Sequence, residues 1–153
     1  MVYGDMMPIL VENGGSVNVA DKHEGLTPLH IASYRGEFTI VEYLLKRKAN
    51  ILAVSKKFVT PLHFAAFCGC ANVVKMFLRK CNFNHKIINK KDIFGNTILH
   101  CAAVSGNSRL VKYLIQRGAD VEARNKFTHS ALHLAKRKTV IEILMNAQDY
   151  NSR

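Results

Sequence analysis

A six-residue motif returns four times along the chain and constrains the fold more than any other feature. It reads TPLHIA from Thr27, TPLHFA from Thr60, TILHCA from Thr97 and SALHLA from Ser130. Successive copies begin 33, 37 and 33 residues apart, an interval typical of one supersecondary unit in a repeat protein. Because a catalytic signature would be needed only once, four copies indicate that the motif builds the fold.

Each motif is followed by apolar pairs whose spacing indicates a second helix. In the second unit Val73 and Val74 precede Phe77 and Leu78 by four positions, which places them on one helix face. In three units a glycine lies between the motif and these pairs, at positions 36, 69 and 106, as the C-terminal turn of a helix favours. Each unit is therefore predicted to be a helix, a tight turn and a second helix.

The start of the first helix in each unit is also predicted by its residue types. Thr27 suits the N-cap, where its hydroxyl accepts a bond from an otherwise unpaired N–H, and Pro28 suits the first helical position. The segments between units carry the Asp and Gly of tight turns, as in DKHEGL before Thr27. We expect them to form short hairpin-like fingers.

With these features the chain resembles the ankyrin-repeat family, whose pattern D-x-x-G-x-T-P-L-H-x-A-A-x-x-G is followed by V-V-x-x-L-L-x-x-G-A-D. Residues 96–125, NTILHCAAVSGNSRLVKYLIQRGADVEARN, match it almost completely. The resemblance covers nearly all 153 residues and implies a single-domain, all-α solenoid of stacked helix-turn-helix units joined by fingers. The predicted units are a partial repeat at 1–25, repeats at 26–58, 59–95 (with an enlarged loop) and 96–128, and a shortened repeat with a tail at 129–153.

Three departures from the pattern qualify this prediction. Residues 1–25 resemble only the second half of a repeat, so we expect the apolar helix around residues 6–11 to cap the stack weakly and to fray. The last unit is short between its two helical patterns, which predicts a shortened turn. Phe58 and Thr128 stand where the other fingers have Gly25 and Gly95, which leaves the geometry of those two turns open.

Cysteines and histidines raise the question of a metal site. The four cysteines, at 68, 70, 81 and 101, include no C-x-x-C pair, and we expect free, reduced thiols rather than a zinc site. The motif histidines, at 30, 63, 100 and 133, would lie roughly 8–10 Å apart in stacked units, too far for zinc bonds of about 2 Å. The resemblance instead implies that each bonds the nearby threonine and the neighbouring backbone. No metal and no cofactor are predicted.

The broad class is indicated by missing signatures and by charge. Phosphate-loop, nucleophile-elbow and H-E-x-x-H motifs are absent from the sequence, which favours a non-enzyme. No apolar run is long enough to span a bilayer, and the first residues lack the features of a secretory signal, so we expect a protein of the cytosol or nucleus, with export by a route without such a signal as the alternative. We also expect a monomer. The 22 Lys and Arg exceed the 11 Asp and Glu, for a net charge of +11.

Two functions remain open for such a chain. The first is a protein-interaction module, an adaptor or scaffold, whose partner has an acidic or mixed acidic-aromatic surface. The second is binding of an anionic polymer or surface, either nucleic acid or acidic lipid, through the basic clusters. The clusters are short and no base-stacking platform is evident, which favours the first.

The resemblance also implies where a partner would bind, namely the concave face formed by first helices and fingers. Tyr34 and Phe67 are predicted as apolar anchors, because aromatic rings dominate interface hot spots. Arg35, Lys56 and Lys57 are predicted to pair with partner carboxylates. The alternative interpretation, a row of solvated variable positions, stays open. The complete candidate set is Tyr34, Arg35, Lys56, Lys57, Phe67, Ile93, Phe94, Lys126 and Phe127.

Overall fold

The computed structural model describes residues 15–153, and within them the chain is helical without any strand. The helices come in consecutive pairs, with one short helix between the second and third pairs. They are α1 (Pro28–Arg35) and α2 (Phe38–Lys46), α3 (Pro61–Phe67) and α4 (Ala71–Lys80), α5 (His85–Ile88), α6 (Ile98–Ser105) and α7 (Ser108–Gln116), and α8 (Ala131–Leu134) and α9 (Lys138–Asn151). The predicted helix-turn-helix units are confirmed for this part of the chain. The expected fraying of residues 6–11 lies outside the described residues.

Each first helix begins with a capping box formed by the repeated motif. In α1 the N–H of Thr27 donates to Nδ1 of His30 at 3.1 Å, and the His30 N–H donates to the Thr27 hydroxyl. The same reciprocal arrangement begins α3, α6 and α8. These bonds satisfy N–H groups that a helix start otherwise leaves unpaired.

The motif histidines also join each unit to the next. Because Nδ1 accepts from a backbone N–H, the ring hydrogen lies on Nε2, which donates to the carbonyl oxygen of Val59 from His30 and of His129 from His100, both at 2.9 Å. His63 makes the equivalent bond to the carbonyl oxygen of Asn96 at 3.2 Å, and a second one to that of Lys90 at 3.1 Å. Burial lowers the pKa of all three rings, so the neutral form is favoured. The structural role expected for these histidines is confirmed.

The core consists of the layer between first and second helices and of the contacts between neighbouring first helices. Leu29, Val41 and Leu44 fill the layer in the first pair, and Leu99, Leu110 and Leu114 fill it in the third, all fully buried. The first helices also bury small residues that allow close approach, namely Ala32, Ala65, Ala66, Ala102 and Ala103. Neighbouring second helices are in less extensive contact than neighbouring first helices.

The four described fingers are hairpins closed by backbone bonds and ordered by one polar side chain; in chain order they are residues 21–26, 55–59, 92–96 and 125–129. In the third finger Asp92 N–H donates to Asn96 O at 3.0 Å, and the Asp92 carboxylate accepts from the N–H of Phe94 and of Asn96 at 2.9 Å. Asn125 plays the same role in the fourth finger, and the Ser55 hydroxyl does so in the second.

Adjacent fingers are bonded to one another in a continuous series. Lys56 N–H donates to Glu24 O, Ile93 N–H to Lys57 O, and Lys126 N–H to Phe94 O, each at 2.9 Å.

The finger turns without glycine have the same left-handed geometry as the others. Phe58 has φ 56° and Thr128 has φ 64°, close to the 79° of Gly95. This region costs a non-glycine residue about 1–2 kcal/mol. The geometry that the sequence left open is therefore the left-handed one at both positions, retained at a cost in strain.

The enlarged loop and the last unit both differ from a plain repeat. The loop contains α5, whose Ile88 is fully buried, and Asn89 ties it to the next unit by donating to Gly118 O at 3.1 Å. In the last unit the shortening falls on the first helix itself, because α8 is a single turn that ends at Ala135 in extended geometry. Helix α9 then continues to Asn151.

The prediction of free thiols is wrong for two of the four cysteines. Cys68 and Cys70 form a disulfide across Gly69. The left-handed turn at Gly69, with φ 72°, holds their Cα atoms 5.6 Å apart, within the range that a disulfide can bridge. Cys81 and Cys101 are free.

Candidate functional site

A pocket of about 490 Å³ lies where the first finger meets α1 and α3. Tyr34 and Arg35 line it together with Phe64 of the next unit, and the Tyr34 and Phe64 rings meet edge to face with centroids 5.6 Å apart. Phe64 also meets the His30 ring edge to face at 5.9 Å. The pocket therefore has an aromatic wall whose position is set by the capping-box histidine.

Acidic side chains share this pocket with Arg35. Asp21 and Glu24 of the first finger belong to its lining. Three backbone N–H groups, those of His23, Glu24 and Leu26, donate to the Asp21 carboxylate and lower its pKa. Asp21 is thus a structural anion of the finger. The mouth of the pocket is of mixed charge rather than uniformly positive.

The three cations predicted to bind partner carboxylates all have partners within the chain. Arg35 pairs with Glu37 at 3.7 Å, and Lys57 pairs with Glu24 at 3.4 Å. The ammonium of Lys56 donates to the carbonyl oxygen of Lys22. Surface pairs of this kind contribute at most about 1 kcal/mol, so a partner carboxylate can displace them at small cost.

The apolar candidates are exposed and are distributed over two kinds of element. Tyr34 is 53% exposed on α1, and Phe67 is 47% exposed at the last residue of α3. Phe94 and Phe127 are 45% and 63% exposed on the third and fourth fingers. Their finger positions follow from the polar side chain two residues earlier, which accepts a bond from each ring residue's own N–H at 2.9 Å.

The remaining candidates lie beside these rings on the same fingers. Ile93 is partly exposed, and its N–H is used in the bond to Lys57 O. Lys126 is exposed, and its N–H is used in the bond to Phe94 O. Of the nine candidates, the structure brings Tyr34 and Arg35 into one pocket, and places the finger residues in a row along bonded backbones.

Sequence reasoning missed two residues that shape this surface. Phe64 forms the aromatic wall, and its signal was an aromatic residue at the variable position directly after the motif histidine. Glu24 neutralises Lys57 across neighbouring fingers, and the sequence held no signal for that pairing because 33 residues separate the two.

Two further features of the described residues concern metals and membranes. Within 15–153, no three His, Cys, Asp or Glu side chains are grouped so that they could hold a metal ion. In the same range, no helix combines the length and apolarity needed to cross a membrane.

Comparison with known proteins agrees with the repeat architecture. Residues 2–87 and 82–153 match the family model described as ankyrin repeats (3 copies). The chain is 34% identical over 119 residues to a transient receptor potential cation channel subfamily A member 1 homolog of Caenorhabditis elegans, which covers 78% of this chain and 10% of that protein.

Two relatives with unrelated names also match most of this chain but only a small part of their own length. A B-cell lymphoma 3 protein homolog of Mus musculus is 34% identical over 132 residues, 85% of this chain and 29% of that protein. A mitochondrial disaggregase of Bos taurus is 27% identical over 139 residues, 91% of this chain and 20% of that protein. The chain thus spans less than a third of the length of each of these relatives. Ankyrin repeats generally mediate protein–protein interaction, and by its sequence, its helix pairs and its match to the family model this chain belongs to the ankyrin-repeat family.

Proposed function

We propose that the chain is a protein-interaction module, an adaptor or scaffold without catalytic activity, that binds its partner through the concave face and the fingers. The observation that carries the proposal is the set of half-exposed rings on successive units, Tyr34, Phe67, Phe94 and Phe127. Aromatic rings beside Arg or Lys are the composition favoured at the centres of protein interfaces. A row of solvated variable positions would not require an aromatic ring on each of several successive units.

The partner surface that fits is of mixed acidic and aromatic character. The pocket walled by Tyr34 and Phe64 accepts an apolar or aromatic side chain, and the edge-to-face contact leaves part of the Tyr34 ring free for it. Partner carboxylates next to that side chain would exchange with Glu24 and Glu37 as partners of Lys57 and Arg35. Such an exchange favours specificity and association rate more than affinity.

The decisive experiment compares alanine substitutions of two partly exposed aromatic residues. Phe67→Ala removes a proposed anchor, whereas Tyr43→Ala removes a ring that is 38% exposed on second helix α2. Once a partner has been captured and purified, we expect Phe67→Ala to weaken its binding by on the order of 2 kcal/mol, about 30-fold, and Tyr43→Ala to leave it unchanged. Equal effects, or no effect of Phe67→Ala in a folded protein, would refute the proposal.

Binding of an anionic polymer or surface is the alternative function. It predicts that affinity falls steeply, with the log-log slope of counterion release, between about 50 and 200 mM salt, and that unrelated nucleic acids compete. A protein partner anchored by rings predicts a shallow salt dependence and no such competition. The same titration with purified partner therefore separates the two.

A further inference from the structure

The net positive charge of the chain arises from one continuous segment. Between Glu42 and Asp92 there are eleven Lys and Arg and no Asp or Glu, and the rest of the chain has eleven residues of each sign. The whole net charge of +11 thus resides in residues 43–91. Solubility does not require this separation, because interspersed charges of both signs keep a surface soluble.

Four of these eleven cations line a single groove between second helices α2 and α4. The groove has a volume of about 600 Å³ and contains Lys46, Lys75, Arg79 and Lys80. It exists because neighbouring second helices pack less extensively than the first helices, and no finger residue belongs to its lining. Among the residues lining it, Glu42 is the one acid, and it pairs with Lys46 at 3.5 Å.

The three other cations carry the unbalanced charge of the groove. The Lys75 ammonium lies 5.2 Å from the ring centroid of Tyr113 in the following unit, which fixes its position without neutralising it. Arg79 and Lys80 end helix α4 and form no salt bridge with any residue in 15–153. An anion entering the groove would meet three cations that form no salt bridge within residues 15–153.

The groove also has an apolar component. Phe38, 42% exposed, and partly buried Met76 belong to its lining, with Asn72 as a neutral polar neighbour. An exposed ring and a thioether form a contact site for an apolar side chain. The groove thus combines an apolar contact site, formed by Phe38 of α2 and Met76 of α4, with cations along one side.

We propose that this groove, on the second-helix face, is a second docking site whose occupant is an acidic peptide segment of a protein partner. An apolar side chain of the segment packs on Phe38 and Met76, and its carboxylates pair with Lys75, Arg79 and Lys80. A channel between two helices fits an extended chain, whereas a flat bilayer touches only its rim. Nucleic acid gains less here, because Phe38 is the one aromatic ring of the lining on which a base could stack.

This site lies apart from the concave surface, so the two proposals stand or fall separately. With both sites, the chain would join two partners on opposite faces of the stack.

The test measures binding of a fluorescently labelled synthetic peptide, in which Glu alternates with Leu and Phe, by fluorescence anisotropy. The variant Arg79→Gln with Lys80→Gln removes two groove charges. The matched control, Lys136→Gln with Lys138→Gln, removes the same net charge from exposed positions in the last unit. We expect roughly tenfold weaker binding for the groove variant and a change below about twofold for the control.

A second pair of measurements tests the apolar contact. Phe38→Ala should weaken the same peptide at least severalfold, and a peptide of Glu alone should bind the wild type less tightly than the mixed peptide. The proposal is overturned if groove and control variants weaken binding equally, if the all-Glu peptide binds as well, or if a single-stranded oligonucleotide or a phosphatidylserine vesicle binds more tightly than the mixed peptide and loses affinity in the groove variant.

Discussion

The left-handed turn at Thr128 stores strain that a single substitution should release. Thr128 has φ 64°, its side chain is exposed, and its backbone makes two bonds: its N–H donates to Asn125 O at 3.0 Å and its carbonyl accepts from Arg124 at 2.7 Å. Glycine would keep both bonds, since neither involves the side chain. Thr128→Gly therefore changes little in the folded state except the conformational strain.

The size of the effect follows from two opposing contributions. Left-handed geometry costs an L-residue about 1–2 kcal/mol, and glycine removes that cost. Glycine also makes the unfolded chain more flexible, which lowers stability by about 0.4–1 kcal/mol. The free energy of unfolding should therefore rise by about 0.5–1 kcal/mol in Thr128→Gly.

Urea unfolding followed by far-UV circular dichroism measures this difference, provided that the m-value is unchanged. Two control substitutions show which sign the change in the free energy of unfolding has when glycine is added to a helix or removed from a left-handed turn. Thr139→Gly makes the same chemical change at an exposed position of helix α9 and should lower stability by a few tenths of a kcal/mol. Gly95→Ala should lower it by more than about 1 kcal/mol, because its φ is 79° and a Cβ would lie 3.0 Å from the Lys126 nitrogen. If Thr128→Gly is as destabilising as Thr139→Gly, no strain is stored at this turn.

Three further predictions concern pH, thiol reactivity and the enlarged loop. Because burial lowers the pKa of three motif histidines below their ordinary 6.5, the unfolded chain takes up protons first on acidification. Stability should thus be full above pH 6.5 and fall below it by up to about 1.4 kcal/mol per pH unit for each histidine, and urea midpoints that stay flat to pH 5 would contradict this. Burial raises the pKa of the Cys101 thiol to about 12, so iodoacetamide should alkylate it more slowly than exposed model thiols in the native protein and at the same rate after denaturation. Arg117 lies over the Phe83 ring at 4.5 Å and over the Tyr113 ring at 5.2 Å, so Arg117→Gln should cost about 0.5–1 kcal/mol in urea unfolding, and the cost should be smaller when Phe83→Leu is already present because only the Tyr113 contact then remains.

The architecture was predictable from local sequence because each unit repeats the residues that specify its own two helices. Thr27 at the N-cap, Pro28 at the first helical position and His30 three residues after the cap specify a helix start from residues within one turn, and the structure has that capping box. The interval between motifs, with apolar pairs behind each, specified the helix pairs. The candidate rings were predictable for the same reason, since their positions follow the register of the repeat. Their function as anchors stays a prediction.

What only the tertiary structure decided depends on contacts between residues about one unit apart. Lys57 meets Glu24, and Phe64 meets Tyr34, across neighbouring units, so no local pattern shows that a predicted cation is paired or that a variable residue walls a pocket. Thr128 adopts the left-handed geometry against its own preference in a finger that is bonded to the preceding one through the Lys126 N–H and the Phe94 carbonyl, a contact that no single finger contains. The groove between α2 and α4 likewise arises from how two units stack, and sequence alone could count its cations but could not bring Lys46 and Arg79 to one channel.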